Sequence, residues 1–194
     1  ELARQLLPKI KKHNKKANIA SIIITLQRYY DSLKEKKSET EKFIESQMPK
    51  VELSIKNKII TYSYERNKKV ADTITNISKE IKWGSGDMMF SIQGSSEITI
   101  IIDQKHEDKF NSIKKYLIEK KEDLATLSVR EPEGIIYSKE VPGFLAILCS
   151  TLADNNVNIY ECATTFKQII FVLHKDQVLK AYEVFNKLAE HYKK

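Results

Sequence analysis

Glu140, Val141, Pro142 and Gly143 make up the segment with the clearest chemical potential. Glycine lets a backbone approach a ligand closely, and the helix expected to follow offers unpaired amides and a partial positive charge to a carboxylate. A second segment offers different chemistry. Lys9, Lys11, Lys12, Lys15 and Lys16 form a cationic turn able to neutralise phosphates. In the helix expected to begin after Asn18, Ser21, Thr25, Gln27 and Arg28 are the positions that could reach base edges or phosphates, with Tyr29 at the edge of such a contact.

Other reactive side chains do not assemble into a pattern. Cys149 and Cys162 are too few for a disulfide framework and are expected to pack as small hydrophobes. His13, His106, His174 and His191 are scattered without ligand spacing, so neither a metal nor a cofactor is expected. Trp83, Gly84, Ser85 and Gly86 carry the wrong glycine spacing for a P-loop or a dinucleotide turn, and are expected to form a turn before a strand. With no catalytic constellation in view, the chain is read as non-enzymatic.

The elements that would position these residues follow from periodicity. Leu2, Leu6, Leu7 and Ile10 mark a helix over 2–12. A lysine-rich turn follows at 13–17. Asn18 is placed to cap a second helix with Ile19, Ile22, Ile23, Leu26, Tyr30 and Leu33 on one stripe. Two such helices make a helix-turn-helix unit, too small to bury both stripes without a third helix, a partner chain or the body. Residues 34–47 read as a connecting helix or linker, with a capping-box spacing from Ser38 to Glu41 and a stop at Pro49.

Beyond residue 50 strands are expected at 51–55, 59–64, 87–93, 97–103 and 125–130, with helices at 67–81 and 107–121. A second round follows: a strand at 134–138, a helix opening at Pro142 and running to Asn155, strands at 157–164 and 168–173, and a last helix capped by Asp176. The order is β-α-β-β-α-β and then β-α-β-β-α, an internal repeat of the split βαβ, ferredoxin-like kind. The second copy shows no fourth strand, which would leave a sheet edge to be covered by the other unit or a second chain.

Charge divides the chain differently. Residues 1–30 hold seven basic groups, five of them in the turn and the others Arg4 and Arg28, against the single acid Glu1, a net of +6. The remaining 26 basic and 25 acidic residues nearly cancel, so the net charge of +7 sits almost wholly on the helical head. Such asymmetry points to a polyanion or an acidic surface as partner for the head. An apolar share of 41% suffices for a core. No apolar run reaches the length of a membrane helix and no signal-peptide segment opens the chain, so a cytoplasmic protein without membrane contact is expected. The chain opens at Glu1 without Met, inside an expected helix, so further residues are expected to precede it.

Residues 134–173, GIIYSKEVPGFLAILCSTLADNNVNIYECATTFKQIIFVL, resemble an ACT domain, the small-molecule-sensing module attached to aspartate kinases and other amino-acid enzymes. The features that carry the resemblance are Val141, Pro142 and Gly143 opening a helix, and Asn156, Val157, Asn158 and Ile159 entering the second strand. Over residues 50–190 the chain is similar to the tandem ACT regulatory region of aspartate kinases. In the first unit Tyr64, Glu65, Arg66 and Asn67 replace the Pro-Gly turn, and the kinase catalytic domain is missing. Residues 2–30 resemble helix-turn-helix segments that precede ACT-like units in archaeal proteins.

The resemblance implies an α+β fold, a helix-turn-helix-like segment followed by two ferredoxin-like βαββαβ ACT units. The corresponding domains are 1–37, a linker or connecting helix at 38–49, and units at 50–131 and 132–194. It implies an effector site lined by Glu140, Val141, Pro142, Gly143, Phe144, Leu145, Asn158 and Ile159, completed by a neighbouring unit. Asn158 would pair with an α-amino or carboxylate group, and Glu140 and Glu161 would act as ammonium contacts rather than as an acid/base pair. The implied effector is lysine, threonine or a similar amino acid, and the implied assembly is a homodimer or larger. Two functions stay open. One is an amino-acid-responsive DNA-binding transcriptional regulator, in which Lys11, Lys12, Lys15, Lys16, Ser21, Thr25, Gln27 and Arg28 contact DNA. The other is a stand-alone regulatory subunit or homologue of aspartate kinase, whose head binds protein. An interaction domain without a ligand is a third possibility.

Overall fold

The computed structural model describes residues 2–131 and 142–191. Helix α1 (Leu2–Lys11) packs on α2 (Ile19–Gln47). Asn18 caps α2 as its position requires: its Oδ1 accepts from the Ser21 amide at 2.8 Å, and Ser21 Oγ accepts from the Asn18 amide at 3.1 Å. The expected stop near Leu33 does not occur. Helix α2 runs on for 29 residues to the short 3-10 turn Met48–Lys50, because the charged stretch after Leu33 is rich in good helix formers and Pro49 is the first residue that cannot continue it.

Among the described residues one antiparallel sheet of six strands follows, in the order β2-β3-β1-β4-β6-β5. The strands are β1 (Glu52–Glu65), β2 (Met89–Gln93), β3 (Glu97–Asp103), β4 (Leu117–Arg130), β5 (Glu161–Thr164) and β6 (Gln168–His174). The helices between them are α3 (Lys68–Glu80), a 3-10 stretch (Gln104–Tyr116) and α4 (Phe144–Asp154), and α5 (Lys175–His191) follows β6.

Several expectations are corrected here. The two strands expected at 51–55 and 59–64 are one 14-residue strand, continuous through a bulge at Lys58 (φ 59°). The helix expected over 107–121 stops at Tyr116. Its tail, a charged run of good helix propensity, instead pairs with β1: Leu117 lies opposite Tyr64, Glu119 opposite Ser63 and Lys121 opposite Thr61. Pairing across the sheet overrides local preference there. Only Glu161–Thr164 of the strand expected at 157–164 is extended in the sheet, and α4 begins at Phe144, two residues after Pro142. The strand expected at 134–138 lies outside the described residues.

The long strands change the relation between the two halves. The C-terminal part of β1 and the N-terminal part of β4 join β2 and β3. The N-terminal part of β1 (Glu52–Lys56) pairs with the C-terminal part of β4 (Thr126–Arg130), which in turn pairs with β6. The strand expected to be missing from the second half is thus supplied by the start of β1, and the halves interleave instead of following one another. Two compensating bulges mark the crossover, at Lys58 and at Asp123 (φ 58°). Each inserts one residue on its own strand, so the facing alternation is restored beyond them.

That restoration puts both cores on one face. Ile60, Tyr62, Tyr64, Ile98, Ile100 and Ile102 pack against Val70, Ile74 and Ile77 of α3 and Phe110 and Ile113 of the 3-10 stretch. Ala125, Leu127, Val129, Ile169, Phe171 and Leu173 pack against Phe144, Leu148 and Leu152 of α4 and Val178, Ala181 and Phe185 of α5, with Leu53 and Ile55 at the margin. The opposite face carries a smaller cluster of Ile59, Ile101, Leu124 and Val172, flanked by Met88, Phe90 and Tyr160. Each fully buried aliphatic side chain contributes about 1.5–3 kcal/mol through removal from water.

Candidate functional site

The turn before α4 is built on backbone conformation. Gly143 is the N-cap of α4 in the left-handed region (φ 92°), and being glycine it supplies no side-chain acceptor to the first turn. Pro142 and Gly143 are exposed, Leu145 is 40% exposed, and Phe144 is buried in the second core. Glu140 and Val141 lie outside the described residues. An exposed helix start without a side-chain cap suits a carboxylate, whose charge would complement the amide end of the 11-residue α4.

Asn158 and Ile159 stand at the other end of that helix. The chain leaves α4 through a Schellman motif. Asn156 takes the left-handed conformation (φ 54°), its amide bonds to the Ala153 carbonyl at 2.8 Å, and the Val157 amide bonds to the Leu152 carbonyl at 2.9 Å. Gln177 of α5 then clamps the loop. Its Oε1 accepts from the Asn158 amide at 3.2 Å and its Nε2 donates to the Asn156 carbonyl at 3.3 Å. The Asn158 side chain is exposed, and Ile159 packs half-buried on the second core. Eleven helical residues rise about 16 Å, so Gly143 and Asn158 of one unit cannot touch one ligand. Glu161 is half-buried, and burial pushes its carboxyl above the usual range.

The loop that leads into β2 in the first half, as the Asn158 loop leads into β5 in the second, is filled very differently. Asp87, just before β2, is buried. Lys105 Nζ donates to its Oδ1 at 2.5 Å, and His106 Nε2 lies 2.8 Å from its Oδ2. The bond from Lys105 holds the Asp87 carboxyl down at about 2 against the opposing effect of burial, with His106 adding to the lowering. Asp103 accepts from the Met88 amide at 2.7 Å and pairs with Lys56 at 3.0 Å. Lys56 also donates to the Gly86 carbonyl. Asp87, Asp103 and His106 bring ligand-type atoms within 4.8 Å of one another, a grouping that residue spacing did not reveal because its members are 16 and 3 residues apart on separate elements. Two lysines already neutralise both carboxylates, so the grouping is a closed charge network; a cation there would have to displace Lys56 and Lys105. Trp83–Ser85 is a 3-10 turn closed by Gly86 in the left-handed region (φ 79°), as expected of a turn before a strand.

The crossover between the halves forms a cleft of about 480 Å³ lined by both bulge residues, Lys58 and Asp123, with Gln104, Lys175, Asp176 and Leu179. Lys175 donates to Asp123 Oδ1 at 2.8 Å. This pairing lowers the Asp123 carboxyl and raises the Lys175 ammonium.

In the head, Lys11, Lys12, Lys15 and Lys16 are exposed around the hairpin turn. Ser21, Thr25, Gln27 and Arg28 are exposed on α2, but three of the four use their polar atoms locally. Ser21 serves the cap, Thr25 Oγ1 donates to the Ser21 carbonyl at 2.9 Å, and Gln27 Nε2 donates to Asp31 at 3.2 Å. Cys149 is half-buried and Cys162 exposed; both are free thiols, raised by burial.

Over about 70–74% of the chain the fold resembles that of the regulatory domains of aspartate kinases. A subunit from a structure of aspartokinase alpha and beta subunits superposes with a TM-score of 0.59 at 13% identity, over 74% of this chain and 98% of that one. The ligand-free regulatory subunit of aspartate kinase from Thermus thermophilus gives 0.53 at 13% identity, over 71% of this chain and 95% of that one. The whole aspartate kinase of Clostridium acetobutylicum gives 0.56 at 15% identity, and there the match covers only 34% of that chain. The chain thus spans about a third of a whole kinase and nearly all of an isolated regulatory subunit. No protein-family model matches the sequence, and no curated protein sequence matches it. No helix among the described residues is long and apolar enough to cross a membrane.

Proposed function

We propose that the chain is a non-enzymatic regulatory module made of two ACT-like units, one nested in the other, which binds a small amino acid and modulates an aspartate-kinase-like catalytic partner. The likeness to isolated regulatory subunits over nearly their whole length is the observation that carries this reading. The effector is lysine, threonine or a similar amino acid. Its carboxylate sits at the Pro142–Gly143 helix start of one chain, while Asn158 and Ile159 come from another chain, because the length of α4 separates the two groups within one unit. Among the described residues the edge strand β5 has β6 as its single neighbour, and it is where a second chain adds. Binding shifts the arrangement of the chains by no more than the ligand's preference between two arrangements.

The transcription-regulator reading rests on the +6 of the first 30 residues. Three of the four α2 residues named for base contact are engaged in their own helix, which favours the regulatory-subunit reading.

Thermal unfolding of the whole chain against the twenty amino acids tests the proposal. One of them, at a hundred times its dissociation constant, should stabilise by about 2.7 kcal/mol. Sedimentation should show a dimer or larger species. Absence of a shift with every amino acid, or a strict monomer that still binds, would overturn the split site.

A further inference from the structure

The head exposes a surface that neither regulation by an amino acid nor phosphate binding uses. Ile19, Ile23, Tyr30 and Leu33 of α2 are 39%, 52%, 59% and 47% exposed, with Leu26 half-buried between them. Their spacing alternates four, three, four and three residues. That is the a/d pattern of a helix seam, sustained over two heptads, and it places one narrow apolar stripe along the helix. The opposite requirement, packing against α1, is met by other residues: Ile22 of α2, Ala17 of the turn and Ala3 of α1 are buried. The stripe is therefore left over after the hairpin has formed. Ile19, Ile23, Leu26 and Tyr30 of the stripe line a groove together with Gln27 and with Leu2, Ala3 and Arg4 at the start of α1.

Two features define what fits. A 3-4 repeat accepts knobs from a second helix, since only a helix presents side chains at matching intervals. The groove and the hairpin turn carry Arg4 and five lysines, with no acid after Glu1 until Asp31. A second copy of the hairpin would set this charge against itself. A nucleic acid would match the charge but would leave four bulky apolar side chains against phosphate and water. We propose that the hairpin is a docking groove for an acidic amphipathic helix of a partner protein, seated on Ile19, Ile23, Leu26, Tyr30 and Leu33 and flanked by Arg4 and the turn lysines.

Binding by the full chain is measured with three probes: a synthetic amphipathic helix with leucine at 3-4 spacing and glutamate flanks, the same helix with lysine flanks, and a short random-sequence duplex DNA. The glutamate peptide should bind, and Ile23→Asp or Tyr30→Asp should weaken it about tenfold or more. Ile24→Asp, at a residue that is 53% exposed but off the stripe, should leave affinity within about twofold. Arg4→Glu should shift preference toward the lysine peptide. Tyr30→Ser keeps the test open should an aspartate unravel the helix. Equal binding of both peptides, failure to bind either, DNA binding that survives Ile23→Asp, or self-association abolished by Ile23→Asp without peptide binding would each overturn the proposal. The thermal response to amino acids should be the same in all these variants, so failure here is separable from failure of the effector site.

Discussion

The two halves of the sheet solve the same packing problem and part company at their loops. In both, two helices cover one face and a β-α-β-β-α run supplies the apolar stripes. In the first half, α3 starts at Asn67, whose Oδ1 accepts from the Val70 amide at 3.0 Å, and the chain enters β2 through Asp87, buried under Lys105 and His106. In the second, α4 starts at a bare left-handed glycine, and the loop before β5 exposes Asn158. The first half caps its helix start with a side chain and buries an ion network in its loop; the second starts its helix on a glycine and, with its loop backbone clamped by Gln177, keeps the Asn158 side chain exposed. An incoming ligand meets the exposed Asn158 side chain in the second half, whereas at Asp87 in the first it would compete with bonds already made.

The first way to break this comparison is to ask whether the halves are separate at all. Phe185→Ala empties a fully buried site in the second core, and Ile100→Ala does so in the first. Costs of about 3–5 and 2–5 kcal/mol are expected. Because β1 and β4 run through both halves, each variant should lower a single unfolding transition, followed by two optical probes at once. Two resolved transitions, with each variant moving only one, would show that the halves fold independently.

Much of this architecture was legible in the residues, and what escaped has a common cause. The apolar runs in 97–103 and 168–173, the stripe of Val70, Ile74 and Ile77, and the cap at Asn18 are local patterns that lie in the chain as neighbours. The continuity of β1 was hidden because Lys58 breaks the period-2 alternation by one residue, which reads as the end of a strand. The nesting was hidden for the same reason: a strand expected to stop at Ile55 could not be seen serving both halves. At the candidate site, Pro142 and Gly143 were visible as a turn, but their distance from Asn158 depends on helix length and hand, and the Asp87 network on contacts between remote segments. The seam on α2 was visible as a stripe; only packing showed that α1 leaves it uncovered.

The closed network of the first half gives the second prediction, in pH. The Asp87 carboxyl is held at about 2, below its ordinary value, chiefly by Lys105. A carboxylate depressed in the folded state contributes its full stability above the ordinary carboxylate pKa near 4, and loses it as pH falls from about 4 toward 2. Asp87→Asn should therefore lower the melting temperature at neutral pH and make the acid limb between those values shallower. Asn158→Ala in the second half should leave the acid limb unchanged, since Asn158 carries no charge. An acid limb identical in Asp87→Asn and the parent would remove the network from the stability of the first half.

The smallest effect concerns the two helix starts, and here the comparison is sharpest because the devices are chemically distinct. Asn67 works through its side chain, so Asn67→Ala should cost about 1 kcal/mol, and Asn67→Gly only a few tenths. Gly143 works through its backbone. A Cβ at φ 92° is disfavoured whatever space surrounds it, so Gly143→Ala should cost about 1–2 kcal/mol. Gly143→Asn tests the difference directly. Asparagine tolerates left-handed conformations better than alanine and brings an acceptor for the first-turn amides, so its stability should recover toward that of the parent. That same acceptor would occupy the amides assigned to the effector's carboxylate. Gly143→Asn should therefore be more stable than Gly143→Ala and yet respond less to amino acids, measured as unfolding temperature with and without ligand. Should Gly143→Asn keep the full ligand response, the carboxylate does not sit at the start of α4.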